Sequence, residues 1–488
     1  MIDFFTAPVN LWRRLAPPPK AVPLERADIS TLAAEEAMLP EFVRVCPVAM
    51  KYLRLLGPLD WGHFPERPED RPWPGPKPHP RAPFVAAYLI KLNEEKSYMS
   101  GLHDYLVEHP ALVWLLGFEL SPDPTARYGF DVAASVPSRK QLGRVLRDLD
   151  NAMLQFLLSC TVRLIRDALP PEVDFGREIS VDTKHIKAWV AENNPKAYIK
   201  ESQRLDKTRQ PQGDPDCKLG CKKKSNQKSK ASDKAPSNQA DNTGQGHKRA
   251  TQFSCDQYFW GYNSGLVATK VAGYGEFAVA ELTQTFDKGD TTFFFPLMEA
   301  TEARLGFQPP YGALDAGFEA WYVFDYFHQA GGFAAIPATE RSPVKRQFDA
   351  EGLPLCEAGL AMPCLSTFMN NRGVVPQQMG RYVCPLLYPE PTGESCPIDH
   401  KKWPDGGCQL KMGTSPGARL RYQLDRKSDT FKQLYNQRSA TERVNSQAVA
   451  LRIEQPKLRN RQAITNQNTL TYVLINLRAV HRLRQSGD

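Results

Sequence analysis

Between residues 178 and 338, apolar strand patterns alternate with helix patterns, and their order restricts the folds that the chain can adopt. In chain order, the predicted elements are three strands, a helix, a strand, a helix and a strand: Glu178–Asp182 continuing through Ile186 and Ala188, Gln257–Ala272, Glu276–Thr285, Thr291–Leu305, Tyr311–Asp315, Trp321–Gln329 and Phe333–Ala338. Helices that connect strands pack on the faces of the sheet that those strands form. The sequence therefore predicts an α/β fold with a mixed sheet and flanking helices.

The first 83 residues are rich in proline. Eight prolines lie within Pro65–Pro83, and prolines at that density favour extended backbone over helix. Residues 1–83 therefore predict an irregular N-terminal segment, with a short helical patch near Ile29–Leu56 as its exception.

Residues 84–175 predict an all-helical N-terminal domain. Ser138 is a candidate N-cap, and the apolar residues of Leu142–Ile165 keep one helical stripe behind it. Arg139 and Lys140 would then lie in the first turn, where basic side chains can enter a DNA major groove. The same two residues also suit an ordinary solvated first turn.

Residues 176–488 predict the main α/β domain, interrupted by two insertions and ending in two helices. The first insertion, 195–250, is of low complexity and carries 14 Lys and Arg against 6 Asp and Glu, which predicts a disordered basic loop. The second, 341–425, is rich in Gly, Pro and Cys and predicts a β insertion. The predicted C-terminal helices are Phe431–Ile453 and Leu470–Leu483. Concentrated basic charge suits phosphate binding, and it equally suits a solvated linker.

Ten cysteines in 488 residues do not form a secreted disulfide framework, so we expect thiols or metal ligands in a reducing compartment. Four of them in the second insertion are spaced widely enough to hold a structural Zn²⁺, with buried free thiols as the alternative: Cys364, Cys384, Cys396 and Cys408. Trp403 lies between them and could stack on an unpaired base. Neither an apolar run of about 18 residues nor a signal peptide is evident, so a cytoplasmic location without a membrane partner is expected.

Three acids lie where a two-metal site requires them. Asp182 is within the first predicted strand, Asp315 ends a later strand, and Glu442 lies on a late helix. Carboxylates on neighbouring rigid elements can hold two Mg²⁺ ions about 4 Å apart. On the late helix, Tyr435 and Arg438 share a face with Glu442, since the three are spaced i, i+3 and i+7.

The motif Tyr435-x-x-Arg438-x-x-x-Glu442-Arg443, together with Asp182-Thr183 and Leu314-Asp315-Ala316-Gly317, resembles the Tyr-Arg-Glu signature of bacterial insertion-sequence DDE transposases. The resemblance covers roughly residues 85–485, with gaps at the two insertions. It implies a ribonuclease-H-like core with a five-stranded mixed sheet, preceded by a helical domain that binds DNA ends. The sequence departs from the family pattern at Val449, where a Lys is frequent.

The resemblance also implies an activity and a set of partners. The expected reaction is DNA cleavage and strand transfer by two-metal phosphoryl transfer, with two Mg²⁺ or Mn²⁺ ions held by Asp182, Asp315 and Glu442. The expected partners are the terminal inverted repeats of the element, target DNA and a second copy of the chain when the ends are paired. The expected DNA-contacting residues are Tyr435, Arg438, Arg443, Arg139, Lys140 and Trp403.

Two other functions fit the same residues. A transposase-derived regulator would bind DNA ends without cutting them; the three intact acids argue against this alternative, and the departure at Val449 leaves room for it. A ribonuclease-H-like nuclease would cut DNA without joining it. Replacement of Asp182 separates the enzymes from the regulator, and joined products separate the transposase from the nuclease.

Overall fold

The structure is a computed structural model, and it describes residues 26–66, 79–222, 257–338 and 346–486. The N-terminal segment begins with helices α1 (Ile29–Ala34), α2 (Glu41–Arg44) and α3 (Pro47–Leu56). Its apolar residues, from Ile29 to Phe64, are buried in the same core as the helices that follow. The helical patch is thus confirmed, but the prediction that this segment is irregular is wrong for residues 26–66. The Pro-rich stretch 67–78 lies outside the described residues.

The next region is mainly helical, as expected. It contains α4 (Ala82–Asn93), α5 (Met99–Glu108), α6 (Pro110–Leu116), β1 (Ser121–Pro122), β2 (Phe130–Asp131), α7 (Val132–Ser135), α8 (Arg139–Asp148) and α9 (Asn151–Ala168). The antiparallel pair of β1 and β2 corrects the prediction that the region is all-helical. The side chain of Ser138 caps α8 by accepting the Gln141 N–H at 3.2 Å, as predicted. The apolar stripe is split between two helices, because Asp150 caps a new helix.

The sheet and its connections follow. In chain order they are β3 (Glu178–Lys187), α10 (Glu201–Arg204), β4 (Lys218–Lys222), β5 (Gln257–Val271), β6 (Gly275–Thr285), α11 (Phe294–Leu305), β7 (Tyr311–Leu314), α12 (Trp321–Gln329) and β8 (Phe333–Ala335). The strand order is β4-β5-β3-β7-β8. Strand β6 pairs with β5 on the same edge as β4, opposite β3, but further along the strand. The α/β fold with a mixed sheet is therefore confirmed.

Pairing directions in this sheet are mixed. Strand β3 is antiparallel to β5 and parallel to β7, and β7 is parallel to β8. The described strands number six rather than the expected five, because β4 pairs with the first five residues of β5. The centre of the sheet is thus the parallel pair of β3 and β7.

Strand β4 belongs to the first insertion, which was predicted to be largely disordered. Its described part, up to Lys222, is folded: Asp214 and Cys217 are buried, and the Tyr262 hydroxyl donates to Asp214 Oδ1 at 2.7 Å. The prediction is therefore wrong for residues 195–222, because short apolar and polar contacts hold this part against β5. Residues 223–250 lie outside the described part of the chain.

The second insertion forms a separate three-stranded antiparallel sheet, as its composition predicted. Its strands are β9 (Cys364–Asn370), β10 (Gln377–Val383) and β11 (Gln409–Gly413), in the order β11-β10-β9. Helix α13 (Pro416–Gln423) follows and packs against α12.

Three helices close the chain: α14 (Asp429–Asn436), α15 (Ser439–Ala450) and α16 (Arg461–Ser486). The predicted helix Phe431–Ile453 is thus two helices that meet at Gln437 and Arg438. Helix α15 packs on β3, β5 and β6, and α16 packs on α9 and β6. Among the described residues, no helix has the length and apolar character to cross a bilayer.

A candidate active site of clustered carboxylates

The register of the central strands sets Asp182 beside Asp315. The last aligned pair of the parallel strands β3 and β7 is Val181 with Leu314, and the next residue on each strand is an aspartate. Adjacent strands are about 4.8 Å apart, so the two acids are immediate neighbours. The Asp315 carboxylate also accepts the Gly317 N–H at 2.7 Å, which fixes its orientation.

Helix α15 carries the remaining residues of the signature to the same strands. The Thr441 N–H donates to Ser180 Oγ at 3.2 Å, which ties the first turn of the helix to β3. Asn445, one turn further, donates from Nδ2 to Asp182 Oδ2 at 3.4 Å. Glu442 lies between these two anchors and is exposed, with its carboxylate in an ion pair with Arg438.

Arg438 lies at the junction of α14 and α15, where it is the positive charge of the cluster. Burial works against its charged form, but Asp182 and its other acidic neighbours outweigh burial and raise the Arg438 pKa. Its guanidinium is 5.9 Å from the ring centroid of Tyr435, which in turn stacks on Phe431. Tyr435 and Glu442 are on different helices, yet Arg438 contacts both, so the predicted grouping of the three residues is kept across the break.

The strand aspartates are electrostatically strained. Burial raises the pKa of Asp182 to about 6, repulsion from Asp315 adds to the rise, and Arg438 opposes it. Burial also raises the pKa of Asp315, and a further acid, Asp290, contributes to that rise. More negative charge is gathered here than Arg438 compensates, and a site of this kind favours a bound cation.

Asp290 is the functional candidate that the sequence analysis missed. It begins a turn of 3-10 helix between β6 and α11, and its Oδ1 accepts the Thr183 hydroxyl at 2.9 Å. A Cβ built on Gly317 would collide with the carboxylates of both Asp290 and Asp315, so the two converge on that glycine. In sequence, Gly289-Asp290 is typical of a turn before a helix. Only in the fold does the hydrogen bond from Thr183 on β3 connect Asp290 to the site.

The other predicted DNA-contacting residues lie apart from these acids. Arg443 is exposed and paired with Glu276 on β6. Arg139 forms an exposed ion pair with Asp104 at 2.8 Å, and Lys140 follows it on the exposed side of α8.

Trp403 is within the turns of the second insertion, where its backbone N–H donates to the His400 carbonyl at 2.7 Å. In the described part of the chain, no recorded contact joins Trp403 to the acids. Its predicted role in stacking stays a prediction.

Two of the four predicted zinc ligands come together, and a fifth cysteine joins them. Extending the β10–β11 register by one residue pairs Cys384 with Cys408. The Cys408 pKa is raised to about 12, mainly by burial and further by the neighbouring Cys384 and Cys356. Cys364 is exposed instead, with its Sγ 3.5 Å from the Ser366 carbonyl, and Cys396 is half-buried in a turn. The zinc site remains a prediction.

Within the described ranges, no group of three or more His, Cys, Asp or Glu side chains is arranged to hold a metal ion. In particular, the Glu442 carboxylate is engaged by Arg438. Magnesium is commonly held by one or two carboxylates together with water and substrate phosphate, and the adjacent Asp182 and Asp315 provide such a donor set. Comparison with family models, with curated proteins and with solved structures gives no match.

Proposed function

We propose that the chain is a DNA transposase of the DDE type, which cuts and joins DNA at Asp182, Asp315 and Glu442. The observation that carries the proposal is the side-by-side placement of Asp182 and Asp315 on parallel strands, with α15 bringing Arg438 and Glu442 to them. A surface turn former would have no reason to be half-buried against a second acid of like charge.

The topology supports a ribonuclease-H-like core for this enzyme. Leaving β4 aside, the strands lie in the order β6-β5-β3-β7-β8, with three consecutive antiparallel strands followed by two parallel ones. Acids at the central pair and an acid on the following helix are the arrangement that the sequence resemblance implies. We propose β4 as an added edge strand that the first insertion supplies.

Divalent ions, when bound, would activate a water or a DNA 3′-hydroxyl and stabilise the charge of the leaving oxygen. Asp182 and Asp315 would hold them, Asn445 would keep the Asp182 carboxylate oriented, and Asp290 would add a further negative charge next to Asp315. Glu442 would complete the ligand set once its carboxylate leaves Arg438.

The ion pair between Arg438 and Glu442 gives DNA a direct influence on the site. A guanidinium binds phosphate in two-point geometry, so a DNA phosphate competes with Glu442 for Arg438. The guanidinium lies over the Tyr435 ring, which keeps it within reach of both Glu442 and a DNA phosphate. We propose that DNA binding frees Glu442 and that the complete acid set is assembled only on DNA.

The test begins with the DNA that flanks the gene. Inverted repeats read there would supply labelled end substrates for cleavage and joining assays with Mg²⁺. Asp182→Asn should lower the rate of cleavage by at least about 1,000-fold, since it removes a ligand of the ions that would act on the reacting phosphate. Asp167→Asn, an exposed acid at the end of α9, is the matched control and should keep the wild-type rate.

Binding of the same DNA by Asp182→Asn should be undiminished, because the change removes a negative charge. Equal cleavage rates for the two variants would overturn the proposal. Binding of the ends without cleavage by the wild-type chain would favour the regulator, for which Val449 is the supporting residue: it is 37% exposed on α15 and carries no charge.

A further inference from the structure

A second charged region lies beyond the C-terminal end of β3, past Asp182. Two adjoining cavities share Gln455, Pro456 and Lys457, and the outer one has a volume of about 650 Å³. Three segments line them: the turn after α4, the residues after β3, and the loop between α15 and α16. We call this region the basic cleft, and its basic and aromatic residues are Lys91, Lys96, Tyr98, Lys187, Trp189, Arg452, Lys457 and Arg459.

The inner end of the basic cleft holds a buried cation without a counter-ion. Lys91 is only 4% exposed, and its Nζ donates to the Gln467 amide oxygen at 3.1 Å. Burial and then the like charge of Arg452 lower its pKa to about 8. No carboxylate in the described ranges forms an ion pair with it, and the one acid in the lining, Glu95, is exposed. A buried ammonium next to a guanidinium is stabilised by an anion placed between them.

The outer end presents cations that are ordered by an aromatic ring. Lys457 Nζ and Arg459 Cζ are 5.7 and 4.8 Å from the ring centroid of Trp189. Trp189 is 39% exposed, and Tyr98, 6.1 Å away between ring centroids, is 50% exposed. Within the described chain, neither cation has an acidic partner. Exposed rings beside unpaired cations are the combination with which proteins bind the bases and phosphates of a nucleic-acid strand.

The loop that carries these cations is held in a fixed shape. Arg452 and Asn460 bracket it, and both have left-handed backbone, with φ of 65° and 73°. Non-glycine residues keep this conformation only where their surroundings enforce it, and such positions concentrate at functional sites. The loop is tied to β3 by the Lys187 N–H, which donates to the Glu454 carbonyl at 2.8 Å, and by the ion pair of Lys184 with Glu454.

We propose that the basic cleft binds a DNA strand outside the acid site, with a backbone phosphate between Lys91 and Arg452 and an unpaired base or sugar against Trp189 and Tyr98. A free phosphate would satisfy only the inner end, whereas a strand uses the whole cleft. The proposal rests on the proposed function for the identity of the nucleic acid.

The same elements connect the two sites. Strand β3 runs from Asp182 towards Trp189, a span of about 20 Å at 3.3 Å per residue. Helix α15 starts at the acids and ends at the cleft loop. A single DNA molecule could therefore occupy the cleft and reach the acids at the same time.

The experiment uses the full-length chain in EDTA, so that binding is measured without catalysis. The probe is a fluorescein-labelled 30-base-pair duplex of random sequence, blunt or with a single-stranded tail, followed by anisotropy from 50 to 200 mM KCl. The double variant Lys457→Gln with Arg459→Gln should bind about tenfold more weakly, and the slope of log affinity against log salt should fall by about two. The control is Arg54→Gln with Arg166→Gln, two exposed cations on α3 and α9, which should leave both quantities unchanged.

Two further variants resolve the parts of the cleft. Trp189→Ala should weaken the tailed duplex about tenfold and the blunt duplex less, because stacking requires unpaired bases. Lys91→Met removes a buried charge that has no counter-ion, so it should fold at least as stably as the wild type while losing affinity. This variant keeps the test decisive if the double variant folds poorly.

Equal affinity and equal salt slope for the cleft variants and the control would overturn the proposal. Tighter binding of single-stranded RNA than of the tailed DNA, by tenfold or more, would also overturn it. The two proposals fail separately: cleft-dependent binding without Mg²⁺-dependent cleavage contradicts only the transposase, and Asp182-dependent cleavage with cleft-independent affinity contradicts only the cleft.

Discussion

Two acids on one face of the sheet, Asp182 and Glu281, differ in what surrounds them. Both are aligned with Leu266 of β5, Asp182 from β3 and Glu281 from β6, so they point to the same side. Burial raises the pKa of both, to about 6 for Asp182 and about 7 for Glu281. Their surroundings then act in opposite directions: Asp315 adds to the rise at Asp182, whereas every neighbour recorded at Glu281 lowers its pKa.

Glu281 is part of an internal polar network. Its carboxylate accepts from the Thr469 hydroxyl and, at 2.8 Å, from Gln155 Nε2, and Arg304 supplies a nearby positive charge. Arg304 is itself held by Gln155 and by the Val279 carbonyl at 3.0 Å. One oxygen, Oε2, has no hydrogen-bond partner, but the charge is matched from within the chain. A buried acid with an internal cation is compensated within the fold, so removing the cation is costly, whereas a buried acid facing other acids is left for a ligand.

After the loss expected for Asp182→Asn, the largest effect is expected at Asp290, the acid that would extend this contrast to a fourth carboxylate. Asp290→Asn should lower Mg²⁺-dependent cleavage about 10- to 100-fold, because it removes a negative charge next to the proposed metal ligand Asp315, and a change beside a metal ligand usually causes a loss of this size. The thermal midpoint should stay within a few degrees, since the change relieves repulsion with Asp315. Cleavage assays and melting curves of the same preparations measure both.

Thr183→Val is the companion variant. It removes the hydroxyl that donates to Asp290 but keeps the Asp290 carboxylate. The loss of cleavage activity should therefore be smaller than that of Asp290→Asn. Wild-type cleavage by Asp290→Asn would show that Asp290 is a turn residue and restrict the site to the three acids of the signature.

An effect of similar free energy, on stability rather than on activity, is expected from Arg304→Met. It leaves Glu281 without its internal cation and Gln155 without a donor, which should lower the free energy of unfolding by about 2–3 kcal/mol. Denaturant unfolding measures this change, and Arg166→Met on the exposed side of α9 is the control. Cleavage per folded molecule should be unchanged. A stable variant that has lost cleavage would contradict the division between the two acids.

The sequence predicted this contrast only in part. Strand patterns in the sequence located β3, β5, β6 and β7, because alternating or continuous apolar runs of strand length are local properties of the chain. They could not place Asp290, since the approach of a turn to β3 depends on a contact across 107 residues. The break at Arg438 was also missed, because Phe431–Ile453 contains neither glycine nor proline.

The basic cleft shows the same limit for long-range arrangement. Lys91 belongs to an apolar helix, and its partner Gln467 lies 376 residues away. No local pattern distinguishes this lysine from a solvated one. Periodicity in the sequence predicts the helices and strands. Which charges those elements bring together, and whether they balance, is decided by packing.

The smallest effect is a change of stability with pH that should belong to Asp182 and not to an exposed acid. An unfolded aspartate has a pKa of about 3.9, so in the folded chain Asp182 retains a proton between about pH 4 and pH 6 that the unfolded chain has lost. The stability that this proton contributes is present at pH 4 and is lost as the pH rises through 6.

In EDTA, the wild type should therefore lose about 1–2 kcal/mol relative to Asp182→Asn over that window, a magnitude reduced by the partial exposure of the site. Denaturant unfolding at four pH values measures the difference, with Asp167→Asn as the control, which should run parallel to the wild type. At pH 7, Mg²⁺ at 10 mM should restore the lost stability in the wild type and not in Asp182→Asn, because the ion replaces the proton between the acids. Parallel curves for all three chains in EDTA would mean that burial and Asp315 together do not raise the Asp182 pKa, and the difference between Asp182 and an exposed acid on which the comparison rests would be lost.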